Sequence, residues 1–170
     1  RRFARIGVFS TVVFRSLSAK IALCIIVMEA LGGLGAFLTS SAIPSWYSTL
    51  VRPPGTPPNW VFGPVWTTLY AMIGISFALI WHRSPQRLGF TKLACAFYFQ
   101  LFLNLLWTPV FFGAQNPEAA LIVIIALWIA IILTLEEFKT VSPLAAFLLL
   151  PYLLWVSYAT YLNAGYAYLN

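Results

Sequence analysis

Five long apolar stretches, 21–38, 64–81, 93–113, 119–135 and 144–169, contain between them a single charged residue, Glu29. Crossing the hydrocarbon layer of a bilayer takes roughly 20 apolar residues as helix. In lipid a backbone must satisfy its own polar groups, which leaves helices and closed barrels as the spanning structures. The strict apolar/polar alternation of barrel strands is absent from all five stretches. No internal repeat is visible. The expected fold is therefore an all-α membrane protein, a five-transmembrane-helix bundle spanning residues 21–170 behind a basic N-terminal segment of residues 1–20. Composition agrees: 61% of the 170 residues are hydrophobic and 8% charged, against roughly 25% charged in a soluble domain. So short a chain has no means of enclosing that much apolar surface away from water.

Net charge is +6, from 10 basic and 4 acidic residues, a balance that in a soluble protein raises nucleic acid as a partner. Its distribution argues against that. An odd number of spans puts the N-terminus, the second loop and the fourth loop on one side. That side carries Arg1, Arg2, Arg5, Arg15, Lys20, Arg83, Arg87, Lys92 and Lys139, and the other side only Arg52. The positive-inside rule then places the N-terminus on the cytoplasm-equivalent or matrix side and the C-terminus opposite. The basic residues orient the bundle or meet anionic head groups; no nucleic-acid partner is expected. Cys24 and Cys95 fall within spans and read as small packing residues, with neither disulfide nor metal spacing.

The first 28 residues contain Arg, Lys and Ser but no acid, and Phe3, Ile6, Phe9 and Val13 recur at helical spacing. Arg-rich, acid-poor amphipathic segments are what organelle transit peptides look like. A short surface helix ahead of the first span is the alternative. The expected setting is an organelle membrane, mitochondrial in preference to plastid.

The most informative stretch runs from Trp46 to Tyr70, W-Y-S-T-L-V-R-P-P-G-T-P-P-N-W-V-F-G-P-V-W-T-T-L-Y. Pro53, Pro54, Pro57 and Pro58 stiffen the loop and forbid helix there. Pro64 sits where a helix can start, its missing N–H falling among donors unpaired anyway. The loop's aromatic residues, Trp46, Tyr47 and Trp60, are either ordinary interfacial anchors or, with Pro57 and Pro58, part of a rigid lid. On the second helix Trp66, Tyr70, Ile73 and Phe77 share a face. Gln100, Asn104 and Thr108 repeat every four residues on the third, and Tyr152, Trp155, Ala159 and Asn163 form a stripe on the fifth. Amides are costly against lipid, so these faces should point inward. They would make either a ligand pocket of aromatic walls with a few polar groups or a bundle interior of hydrogen bonds and packed rings.

The order W-Y, P-P, W-V-F-G-P-V-W-x-x-L-Y resembles the TspO/translocator protein (tryptophan-rich sensory protein) family. Two further blocks resemble it as well. Gln100, Asn104, Leu106, Trp107, Pro109, Phe111 and Phe112 match its third-helix pattern, and residues 151–160 followed by Asn163 match its fifth. The resemblance implies a five-helix bundle, often dimeric, that binds tetrapyrroles such as protoporphyrin beneath the loop after the first helix. In animal members it also implies cholesterol and synthetic ligands. Carried over by position, the ligand-binding candidates are Trp66, Tyr70, Asn104, Trp107, Trp155 and Asn163. No cofactor is expected to be obligatory; a porphyrin or a lipid is the candidate for a bound group.

Two departures from the family stand out. It usually has Trp where this chain has Gly55, so the lid loses a large ring and gains backbone freedom. Its cholesterol pattern needs a basic residue after an aromatic near the last helix's end, and none follows Tyr161, Tyr166 or Tyr168. Glu29, near the middle of the first span, is a functional candidate by its position. The charged form is disfavoured in lipid, so Glu29 is expected to be neutral, either hydrogen-bonded within the bundle or meeting another subunit. Gly32, Gly33 and Gly35 beside it permit close helix approach. His82, and Glu136 and Glu137 near Lys139, read as surface groups.

Three functions compete on these grounds. The first is a binding, transport or sensing protein for a tetrapyrrole or similar flat apolar ligand. The second is an accessory subunit of a large respiratory or photosynthetic membrane complex, its pocket vestigial or lipid-filled. Partners are accordingly the ligand, the membrane, and either a second copy or a larger complex. The third, an enzyme, has little support, since the chain has one His and no nucleophile–base–acid set; only light-dependent porphyrin breakdown, borrowed from similar bacterial proteins, would remain.

Overall fold

The computed structural model describes residues 16–89 and 91–170, and every described span is helical, with no strand among the described residues. Of the expected basic segment, residues 1–15 with the amphipathic pattern at Phe3, Ile6, Phe9 and Val13 lie outside the described residues, whereas residues 17–20 belong to the first helix. Five helical spans are long and apolar enough to cross a membrane: Leu17–Phe37, Asn59–Arg83, Lys92–Gly113, Pro117–Lys139 and Pro143–Leu169. The chain is an integral membrane protein.

Helix α1 (Leu17–Thr39) starts four residues earlier than the apolar run suggested, because Lys20 is buried within it with its ammonium over the Trp81 ring, 5.0 Å from the centroid. A long connection then carries two single 3₁₀ turns, Tyr47–Thr49 and Asn59–Val61. Helix α2 (Phe62–Arg83) holds Pro64 in its first turn, where a missing N–H leaves nothing unsatisfied. Helix α3 (Lys92–Thr108) is capped by Thr91, whose hydroxyl accepts from Ala94 N–H. It continues into one π turn, Pro109–Gly113, closed by Ala114 N–H to Pro109 O at 2.8 Å. Helix α4 (Pro117–Lys139) is capped by Asn116, with Glu118 in its first turn and Lys139 in its last, the signs that suit the helix dipole.

The fifth span differs from the single helix expected. It consists of α5 (Pro143–Leu148), capped by Ser142, and α6 (Leu150–Leu169), with a break at Leu149. Pro151 supplies no N–H to the carbonyl one turn back, so the ladder is interrupted there.

The end of the bundle that carries the second and fourth loops is solid. Phe97 stacks between Phe77 and Phe138, with centroids 4.4 and 5.7 Å away, and Ile73, Ile80, Leu127 and Ile131 are almost fully buried around it. Ser76 donates to Ala145 O at 2.7 Å, and Arg83 donates to Ser142 Oγ at 2.6 Å. Helices α1 and α2 approach closely at Gly74, where a Cβ would stand 2.9 Å from Ile25 N and 3.0 Å from the Cys24 carbonyl. Apolar side chains are no better off against each other than against lipid, so such backbone approach and buried hydrogen bonds carry much of the cohesion. Ile26, Phe37, Phe102, Ile122 and Leu154 lie exposed on the outside, as a lipid-facing surface requires. Cys24 is buried in the α1–α2 contact, whereas Cys95 is exposed and not the packing residue expected. His82 and Glu136 are exposed.

Candidate ligand cavity

The opposite half of the bundle is hollow. A cavity of about 530 Å³ lies among α1, α2, α3 with its π turn, α4 and α6, beneath the 40–61 connection. Small residues make the room on the α1 side: Gly32, Gly33 and Ala36 fall on the face of Glu29, at i+3, i+4 and i+7, and all four line the space. At Gly32 a Cβ would come within 2.5 Å of the Tyr70 ring, so only glycine lets that ring lie against α1.

Aromatic rings form most of the remaining wall. Trp66 leans on Tyr70, centroids 5.3 Å apart, and Phe62 meets Trp155 edge-on at 5.9 Å. Trp107 stacks on Phe111 at 5.0 Å. Phe111, four residues after Trp107, shares its side in any helix; the extra residue of the π turn brings Phe112 round to that side as well, a device common at functional sites. Trp66, Tyr70, Asn104, Trp107, Trp155 and Asn163 all line this one cavity.

The polar groups behind the rings are already engaged with each other. Tyr70 donates its hydroxyl hydrogen to Asn104 Oδ1 at 2.7 Å; Asn104 Nδ2 donates to the Tyr152 oxygen at 2.9 Å; Tyr152 donates to Gln100 Oε1 at 3.0 Å. Gln100 Nε2, at the end of the chain, is buried without a partner. A second set joins Trp107 Nε1–H to Asn163 Oδ1 at 2.8 Å and Asn163 Nδ2 to Pro117 O at 2.7 Å. The inward stripes thus serve as interhelical hydrogen bonds and as cavity wall at once. Glu29 belongs to neither set. It lines the cavity and makes no hydrogen bond or ion pair with the described residues.

The connection closes the cavity's end with Ser40, Ile43, Tyr47 and Asn59, so that of the five expected lid residues Tyr47 alone lines it. Tyr47 lines it, with its hydroxyl 2.7 Å from that of Tyr166. Burial pushes the Tyr47 phenol well above its ordinary value, the bond to Tyr166 adds to this, and Arg52 opposes it. Trp46 instead packs edge-on against the far side of Phe111 at 5.6 Å and borders a separate shallow hollow with Asn116 and Asn170. Pro57 and Pro58 lie off the wall, and Trp60 points outward, 74% exposed, in the place of an interfacial anchor.

A clamp to α6 holds the loop. Tyr158 donates to Gly55 O, and Tyr161 to Pro54 O at 3.0 Å. Asn170 Oδ1 accepts from Val51 N–H at 2.8 Å, and its Nδ2 donates to Val51 O at 3.2 Å. Gly165 abuts Pro53, where a Cβ would stand 2.6 Å from the ring. Gly55 itself has φ +83°, in a turn closed by Thr56 N–H to Pro53 O at 3.2 Å. A turn with Pro54 followed by a left-handed residue needs glycine. The backbone freedom expected from Gly55 is therefore absent: the residue shapes a fixed turn. No spacing in the sequence marks Tyr158, Tyr161, Gly165 and Asn170 as the clamp, because their partners, three of them backbone groups and one the Pro53 ring, lie more than 100 residues away.

The family model TspO/MBR matches residues 8–169. The chain belongs to the TspO/MBR family. It is 43% identical to the tryptophan-rich protein TspO of Chlorobaculum tepidum over 88% of this chain and 95% of that protein. It is equally 43% identical to the TspO of Archaeoglobus fulgidus, over 89% and 97%. Against the human translocator protein it is 40% identical, over 76% of this chain and 80% of that one. Among the described residues no three His, Cys, Asp or Glu side chains gather as a metal site would require.

Proposed function

We propose that this protein holds a flat, largely apolar ligand of the tetrapyrrole class in the cavity beneath the 40–61 connection, as a membrane translocator or sensor. The observation that carries the reading is the cavity itself, about 530 Å³ and walled by Phe62, Trp66, Trp107, Phe111 and Trp155. That volume falls in the range of small-molecule sites, which are typically apolar and aromatic with a few polar groups. Planar walls on facing helices favour a planar guest. The names of the relatives, translocator protein and tryptophan-rich sensory protein, point the same way. The arrangement favours holding over catalysis, because Tyr70, Asn104, Tyr152 and Asn163 are engaged in hydrogen bonds that tie the helices together.

Family membership does not choose the compartment, since the relatives come from bacteria, an archaeon and animals. The acid-poor, Arg- and Ser-containing stretch ahead of the first span supports an organelle membrane, mitochondrial before plastid, with the N-terminus on the matrix-equivalent side.

The test is a titration of detergent-purified protein with protoporphyrin, following tryptophan fluorescence. Saturable quenching in the micromolar range is expected, and Trp66→Ala combined with Trp155→Ala should abolish it while the protein still melts cooperatively. Quenching that never saturates, or survives in the double variant unchanged, would overturn the assignment.

A further inference from the structure

Glu29 lies 12 residues into a helix that starts at Leu17. At 1.5 Å per residue that is about 18 Å deep, near the middle of a hydrocarbon layer of about 30 Å. A carboxyl at that depth is costly and, in most proteins, paired. Here the described surroundings offer no cation. The cavity wall contains no Lys, Arg or His, and Glu29 is its one acidic residue.

Several of the donors on the helices facing Glu29 are already committed. Tyr70, one helix over, has committed its hydroxyl hydrogen to Asn104, so what it keeps for the cavity is an oxygen lone pair. Both hydrogen-bonding ends of Asn104 are in use, and the Trp107 N–H belongs to Asn163. From α4 and α6 the neighbouring wall is Ile124, Leu127 and Val156. The deep end of the cavity therefore presents acceptors, the Glu29 carboxyl and the Tyr70 oxygen, within an apolar and aromatic surround.

We infer that Glu29, with Tyr70 beside it, is the recognition group of this cavity and selects flat ligands that carry a donor nitrogen, an N–H or a protonated amine, at the end that enters first. The inference rests on the ligand-holding reading and narrows its ligand class, favouring an open-chain tetrapyrrole with N–H on a terminal ring over a macrocycle whose N–H groups face its own centre. A carboxylate at that end of the ligand would meet a second carboxyl and no cation, so acidic substituents are left at the mouth, on the side of Arg52.

A matched pair of anthracenes tests this, because anthracene accepts energy from tryptophan. The first probe is 9-(methylaminomethyl)anthracene, cationic at neutral pH; the second is the neutral 9-ethylanthracene. Wild type should bind the amine at least about tenfold more tightly, as a hydrogen bond to a charged group warrants. Glu29→Gln should remove that preference and leave 9-ethylanthracene affinity and the melting temperature unchanged, since no protein partner is lost. Glu29→Asp, which withdraws the carboxyl by one methylene, should retain part of the preference and serves if the Gln variant is poorly folded. Equal affinities for the two probes in wild type, or an equal loss of both in Glu29→Gln, would overturn the role of Glu29 while leaving the cavity occupied. Failure of both probes and of protoporphyrin to saturate wild type would instead overturn the ligand-holding reading and this inference with it.

Discussion

Asn104 joins three helices with one amide, accepting from Tyr70 on α2 and donating to Tyr152 on α6. A single interhelical hydrogen bond in a membrane contributes only about 0.6 kcal/mol on average, so the bonds themselves are a small term. The larger effect is what their loss leaves behind. Tyr152 is fully buried and Tyr70 nearly so, and a buried polar group left without its partner costs about 1–3 kcal/mol. Asn104→Leu should therefore lower the thermal midpoint in detergent by several degrees, more than the average bond would suggest. Adding Tyr70→Phe to Asn104→Leu should recover part of that loss, because it removes the stranded hydroxyl, whereas Tyr152 keeps its bond to Gln100. A double variant that melts lower still, by the sum of the two single effects, would show that the pair is not coupled.

Among the elements, the loop clamp is where close contact replaces interaction strength. Gly165 on α6 and Pro53 in the loop touch so closely that any side chain at 165 must push the loop away. Gly165→Val is expected to loosen the lid and raise the dissociation rate of bound protoporphyrin severalfold, read as tryptophan fluorescence recovering in the presence of an albumin sink. The thermal midpoint should move little, since the solid half of the bundle is untouched. An unchanged rate would mean that the loop does not gate the cavity. This clamp also marks the limit of what the sequence discloses. The spans were legible because lipid demands long apolar runs, and the inward stripes at Gln100, Asn104 and Asn163 because lipid penalises exposed amides. The family blocks brought Trp66, Trp107 and Trp155 to one cavity. The break before Pro151 and the π turn after Pro109 were not legible, because a proline inside an apolar run is compatible with a kink, a bulge or a helix start. Trp60 and Trp46 were left open between anchor and lid for a related reason: an interfacial tryptophan has the same sequence context whether it faces in or out.

At the scale of the molecule the two halves differ in kind. The end bearing Arg83, Arg87, Lys92 and Lys139 is packed solid by the Phe77–Phe97–Phe138 stack and by the Arg83–Ser142 bond. The end bearing the 40–61 connection is hollow and, among the described residues, has Arg52 as its one basic group. Charge asymmetry of this size orients a bundle during insertion, so the asymmetry of charge and the asymmetry of packing are tied: the cavity mouth must face the side away from the basic loops. That orientation is testable with a membrane-impermeant maleimide on intact cells or sealed vesicles of known sidedness, in a chain whose exposed Cys95 is replaced by alanine. Ser41→Cys, in the exposed connection over the cavity, should label from the side opposite the N-terminus, and Gln86→Cys, in the exposed turn after α2, only after the membrane is permeabilised to the other side. Labelling of both from one face would break the five-span arrangement; exchange of their sides would mean that the basic loops do not set the direction, and that a ligand reaches the cavity from the compartment that holds the N-terminus.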